Sequence, residues 1–315
     1  MMTRVLLIFF LTSLLSWSGA TVTDITPYDI DAQHYMKIRI LDQRVLSYPN
    51  INGHHFSEIS DLAYDKQKHL LYLLSDQGIV FTFSANFDKK ISAFKPLRAV
   101  KLVKRDGKNF KRWRNDSEGM TLGKRGRLLI SFEGRAKIGS FDKNGKMQKN
   151  YKIPYKLRNP KNYRSRNKSL EALARHPKYG ILTAAEWPLK KQKSKEQTIY
   201  ALSGKEWYFR AENATSSAVV GMEVMDDGNL LILERAYSGL TSPVIITLKK
   251  IWLKRCKKRS TCRSEILAQF DTGKGWYIDN FEGLAKVGKN RYVIVSDDND
   301  NFYQRTLLVY FEIIK

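Results

Sequence analysis

Cysteine is scarce in this chain, acids are outnumbered, and long apolar runs are confined to one end. The 315 residues include 2 cysteines, too few for a disulfide scaffold or a four-cysteine zinc site. Beyond residue 17 no long apolar run remains, which excludes a polytopic membrane protein. Also missing are a Gly-x-Ser-x-Gly elbow, a phosphate-binding glycine loop with lysine, His-Glu-x-x-His and Cys-x-x-Cys. Serine-hydrolase, nucleotide-loop and zinc-protease readings therefore have no motif. What is present is 43% hydrophobic and 12% aromatic residues, enough for a large core and incompatible with general disorder. Lys and Arg number 55 against 31 Asp and Glu, a formal charge of +24. That surplus makes nucleic acid, anionic lipid, an anionic polymer or a phosphorylated small molecule the first partners to consider.

The N-terminus carries Arg4, an apolar run over residues 5–17 broken only by Thr12, Ser13 and Ser16, and then Ser18, Gly19 and Ala20. This is the pattern of a signal peptide over residues 1–20, cut after Ala20, leaving a single domain over 21–315. An uncleaved anchor is the alternative, but the run falls short of the ~20 residues a bilayer needs. No Cys follows, so a lipid anchor is unsupported. The expected location is periplasmic or secreted, with no transmembrane segment after cleavage, and an exported chain has little access to nucleic acid. An oxidising compartment would let Cys256 and Cys262 close their short loop as a disulfide.

A repeat organises the rest. Asp61-Leu62-Ala63-Tyr64 leads to Asp76, Glu118-Gly119-Met120-Thr121 to Glu133, Glu171-Ala172-Leu173-Ala174 to Glu186, and Glu282-Gly283-Leu284-Ala285 to Asp297, each pair of acids 15 residues apart. A fifth copy places Val220 and Arg235 at the two acidic positions. Each unit reads as a β-hairpin, an apolar stretch followed by a turn and a β-rich run. Two more strand candidates follow each hairpin: 80–83 and 97–103, 137–141 and 150–155, 198–202 and 207–210, 244–253 and 265–270. After the last hairpin comes only 307–313, so the missing strand is expected from residues 36–46. Five four-stranded units closed by the two termini predict an all-β fold, a five-bladed β-propeller, with six blades as the alternative.

In a hairpin the start of the first strand lies beside the end of the second, so both acids of a unit share one end of their blade. Propeller symmetry gathers Asp61, Asp76, Glu118, Glu133, Glu171, Glu186, Glu282 and Asp297 on one face. So many carboxylates need a counter-charge. Ca²⁺ suits an all-oxygen set, whereas zinc would want His or Cys. Alternatively, backbone or arginine hydrogen bonds take up the acids and hold blade to blade. Glu118, Glu171 and Glu282, with His55, which lies just before Glu58 and Asp61 and should reach the same face, are the candidate catalytic groups. Basic loops run into Glu118 and Glu171, and Arg112, Arg114, Arg164, Arg166 and Lys168, with Arg235 of the variant unit, are candidate ligands for a phosphate or another anion.

The segments Asn115-Asp116-Ser117-Glu118-Gly119-Met120, Ser169-Leu170-Glu171-Ala172-Leu173, Gly221-Met222-Glu223-Val224 with Glu234-Arg235, and Asn280-Phe281-Glu282-Gly283-Leu284 with Val295 to Asn299 resemble the phytase-like domain of exported bacterial proteins, the esterase-like activity of phytase family. The resemblance covers about residues 50–315. It implies an exported propeller with a phosphoesterase role, and marks Glu118, Glu133, Glu171, Glu186, Glu234, Glu282 and Asp297. Val220 departs from the acidic pattern. The chain thus reads as a metal-assisted phosphoric-ester hydrolase or a holder of phosphorylated ligands. A non-enzymatic propeller binding an anionic polymer, lipid surface or partner protein is the alternative.

Overall fold

The computed structural model describes residues 18–111, 114–165, 167–212, 216–239, 242–256 and 260–314. Strands β1 (Gly19–Val22) and β2 (Ile38–Ser47) come first, then a small hairpin of β3 (Asn50–Ile51) and β4 (His54–His55). Blade 1 is β5 (Ile59–Asp65), β6 (Leu70–Ser75), β7 (Ile79–Phe87) and β8 (Ile91–Lys101). Blade 2 is β9 (Ser117–Leu122), β10 (Leu128–Phe132), β11 (Lys137–Phe141) and β12 (Met147–Tyr151). A short helix, α1 (Tyr155–Arg158), leads to blade 3, which is β13 (Leu170–His176), β14 (Gly180–Ala185), β15 (Glu196–Ala201) and β16 (Glu206–Arg210). Blade 4 is β17 (Ala218–Val224), β18 (Leu230–Ala236), β19 (Ile245–Ile251) and β20 (Ser264–Asp271). Blade 5 is β21 (Asn280–Gly288), β22 (Arg291–Asp297) and β23 (Thr306–Ile313), completed by β2.

These are the five antiparallel blades expected, and β5, β9, β13, β17 and β21 pack side by side in a closed inner ring. Apolar side chains on both faces of the sheets form one core between each pair of neighbouring blades. Leu74, Phe132 and Phe141 fill the space between blades 1 and 2, and Ile138, Leu173 and Tyr200 that between 2 and 3. Trp207 with Ile232, Phe270 with Phe311, and Phe81 with Tyr310 fill the remaining three. Covering both faces of every sheet is what lets such continuous hydrophobic strands stay out of water.

The ring is tight where the inner strands meet. A Cβ added at Gly119 would lie 2.3 Å from the Glu171 carbonyl oxygen, and one at Gly283 would lie 2.6 Å from Leu62. Gly119 and Gly283, which follow Glu118 and Glu282, are therefore spacing residues between neighbouring inner strands, and blade 3 fills the position with Ala172.

Closure runs through β2 and β23, paired antiparallel from Ile38↔Ile313 to Leu46↔Thr306. A further strand, β1, was not anticipated, and it pairs Ala20 with Leu46, so the expected cleavage point lies within it. Most of the expected signal peptide, residues 1–17, lies outside the described residues. Deleting residues 21–46 is expected to expose the β23 edge and produce aggregation. Light scattering and a melting curve check this, and a soluble variant with the parental Tm contradicts it. Cys256 and Cys262 are bonded, as expected.

Candidate functional site

The carboxylates are positioned by a bulge at the same place in the inner strands. Glu171, Val220 and Glu282 are each skipped in the pairing with the second strand. In blade 2 the register breaks across Glu118 and Gly119 in the same way. A bulge re-aims the extra side chain, and here it turns the acids toward the axis. Glu171 and Glu282 raise the pKa of Glu118, and Glu282 that of Glu171, although the three come from three blades. In blade 1 the skipped residue is Ser60, not Asp61. Asp61 occupies the position that Gly119, Ala172, Gly221 and Gly283 hold elsewhere, one residue out of register with the acids.

That slip sends its carboxylate elsewhere. Asp61 accepts hydrogen bonds from the backbone N–H groups of Leu62 (2.8 Å), Met120 (2.6 Å) and Leu284 (3.1 Å), joining blades 1, 2 and 5. Asp61 is thus placed as an inter-blade clamp, its oxygens already engaged, while the other seven acids face a shared space. Glu234, one residue before Arg235, also points away and pairs with buried Lys249.

The shared space has two unlike halves. On one side Arg235 donates through Nη2 to Glu186 (3.1 Å), and through Nη1 to Glu282 and to Asn280 Oδ1 (2.5 Å). Lys168 donates to Glu186 at 2.8 Å. On the other side Asp116, Glu118 and Glu133 offer oxygens within 4.8 Å of one another, and so do Glu133, Glu171 and Glu186. Among the described residues no Lys or Arg forms an ion pair with Asp116, Glu118, Glu133 or Glu171. Glu133 accepts from the Ser169 N–H at 2.9 Å, whereas the Glu171 carboxylate, in a residue 7% exposed, receives no hydrogen bond from the described residues. Asp76 Oδ1 is likewise buried without a partner.

Electrostatics follow from this. Burial first, and neighbouring carboxylates second, push Glu118 and Glu171 well above the ordinary range. Burial, opposed by the Ser169 N–H and reinforced by Glu186, lifts Glu133 to about 8. Burial with Glu282 lifts Asp297 to about 9, and burial with Glu58 and Asp116 lifts Asp76 to about 7. Such groups hold protons when folded that the unfolded chain releases near pH 4, so without a bound cation stability should fall as pH rises from about 4 through 7–9. The expected loss is several kcal/mol, or roughly 10 °C in Tm, read from melts in chelator between pH 5 and 9. A flat or rising profile contradicts it.

Other expected residues are placed differently. His55 bonds Asp300 (2.8 Å) and the Pro49 carbonyl (3.0 Å), and both contacts raise its pKa, but none of its bonds reaches the acids. Arg164 donates to the carbonyls of Pro188 and Gln192, both at 2.8 Å, and so ties down a loop. The Arg114 carbonyl accepts from Lys137. Arg112 and Arg166 lie outside the described residues. Reasoning from the repeat missed Asp116, which hydrogen-bonds Glu118, and Asn280, although both stand two residues before an acid in the quoted segments. It also missed Lys137, stacked over Phe132 (3.8 Å) and Phe110 (4.3 Å) and lowered to about 7 first by burial and then by Arg114.

With five blades and an acidic axial site in place, comparison with known sequences becomes decisive, because the matching region, residues 54–300, contains every acid of the site. The chain belongs to the phytase-like family. The family is described as having esterase-like activity of phytase. No curated protein matches this phytase-like chain. Similar solved structures include virginiamycin B lyase from Staphylococcus aureus, 10% identical, covering 94% of both chains with a TM-score of 0.39. The Pan2 WD40 domain of Neurospora crassa is 9% identical, covering 92% of this chain and 98% of that one, with a TM-score of 0.38. A streptogramin B lyase is 7% identical over 89% and 99%, with a TM-score of 0.38.

Proposed function

We propose that the chain is an exported, metal-assisted phosphoric-ester hydrolase, acting in the periplasm or outside the cell. The observation that carries this is the half of the axial site where Asp116, Glu118, Glu133 and Glu171 crowd together with no ion pair to Lys or Arg among the described residues, next to a half where Arg235 and Lys168 supply positive charge. A buried Glu171 with no hydrogen bond to its carboxylate among the described residues, and an all-oxygen donor set, fit a hard divalent ion, and Ca²⁺ above others, since it accepts irregular carboxylate sets. Asp116, Glu118, Glu133 and Glu171 would hold it, and its chemistry is polarisation of a phosphoryl oxygen. Arg235 and Lys168 then orient the remaining phosphate oxygens, the guanidinium by its planar fork. Glu118, which shares this space, would take a proton from an attacking water.

Membership in the phytase-like family supports a phosphorylated substrate. His55 has no part in this reading. The test is hydrolysis of a generic phosphomonoester by chelator-treated protein with and without Ca²⁺. Ca²⁺-dependent phosphate release that Glu171→Gln abolishes is the expected result. No release under either condition would leave a binding propeller.

A further inference from the structure

The end of the propeller opposite the acids carries the inner hairpin turns, and their charge is unevenly distributed. In blades 4 and 5 the turns neutralise themselves: Lys286 pairs with Asp226 at 2.6 Å, and Lys250 with Asp227 at 2.5 Å. The turns of blades 1 to 3 do not. Lys66, Lys68, Lys124, Arg125 and Arg175, all exposed, line one groove of about 660 Å³ together with a single acid, Asp65. Asp65 pairs with Lys68 at 3.0 Å, and among the described residues the other four cations have no acidic partner. Arg127 and Lys178 lie on the same turns and are exposed. The floor is Leu122, Gly123 and Tyr64.

A second feature marks the same turn. Arg125 sits at φ 59° and ψ 33°, a left-handed conformation that glycine adopts freely and that a residue with a side chain adopts at a cost. Glycine is available next door at Gly126, so the turn keeps a long cation where glycine would be more stable.

We propose that this groove is a binding site for a linear polyanion, a chain of phosphate or sulfate groups, separate from the axial site. Four unpaired cations along one concave strip match a string of regularly spaced anions better than a single one. A membrane surface fits less well, because none of the large exposed apolar side chains lies on these turns, leaving nothing to insert. Binding would rest on charge and release of counterions, so affinity should fall with salt at a log–log slope of about −3, near 0.7 per contact.

The test measures binding of the full chain to long-chain inorganic polyphosphate by fluorescence anisotropy at several salt concentrations, in chelator so that the axial site plays no part. Lys66→Gln with Lys124→Gln and Arg125→Gln should weaken binding at least tenfold and reduce the slope by about 2. A control carrying Lys89→Gln and Lys90→Gln in the β7–β8 turn and Lys95→Gln in β8, all outside the groove, should bind like the parent. Arg125→Gly alone should raise Tm by a degree or two while weakening binding, which a merely structural arginine would not do. Equal weakening in the two triple variants would overturn the proposal in favour of net charge alone. Groove-dependent binding to vesicles of 30% phosphatidylglycerol, with none to polyphosphate, would overturn it in favour of a lipid surface.

Discussion

Replacing Glu118 and Glu171 together by Gln should make the cation-free protein more stable, by about 2–3 kcal/mol or roughly 5–10 °C in Tm. Burial of a functional cluster normally makes its loss destabilising, so the sign is informative. Glutamine preserves the shape and removes two carboxyls that the cation-free folded protein keeps only by binding protons or by leaving them charged, both costly at neutral pH, since among the described residues Glu171 receives no hydrogen bond and Glu118 lies chiefly among other acids. Ca²⁺ should close this gap near one hundred times Kd and reverse the order near one thousand times Kd, where the parent gains about 4.1 kcal/mol. An ion that binds only the folded parent adds about 2.7 kcal/mol at one hundred times its Kd, while the double variant gains nothing. Melts in chelator and in millimolar Ca²⁺ read both effects. A variant less stable than the parent in chelator would mean that the acids are held by protons or donors that glutamine cannot replace.

Arg235 should behave in the opposite way. Arg235→Gln leaves Glu186 and Glu282 buried, with Lys168 and Asn280 as their remaining side-chain donors among the described residues, and breaking a buried pair from one side costs about 3–5 kcal/mol. The expected fall is roughly 10 °C. Adding Glu282→Gln should recover most of it, because the stranded charge is removed. A single variant with parental Tm would show that the guanidinium does not neutralise the site.

Much of this architecture was legible in the sequence. Apolar runs separated by turn residues gave the hairpins, the repeat gave five blades, and the lone strand after Asp297 called for one from the N-terminus, found as β2. Strand ends were less legible: a strand expected over 150–155 is Met147–Tyr151, because Pro154 and α1 end it early. The unit containing Asp61 was misaligned for an instructive reason. Its turn is one residue longer than that of blade 3, so a spacing of 15 matches Asp61 with the acids although Ser60 holds their place. In a strand one residue is the difference between facing the axis and facing the neighbour's backbone. Aligning on the small residue that the tight ring demands, Gly119, Ala172, Gly221 and Gly283, would have revealed it. Asp116 and Lys137 were hidden because they stand outside the repeat and reach the site only through the packing of blade 2.

The central claim is that the uncompensated half of the axial site takes a divalent cation, and calorimetric titration of chelator-stripped protein with Ca²⁺ tests it most directly. Saturable binding by the parent that is lost in Glu171→Gln and retained in Asp61→Asn, provided that variant folds, is the predicted result. Absence of binding by the parent, or binding that Glu171→Gln leaves unchanged, would contradict the account.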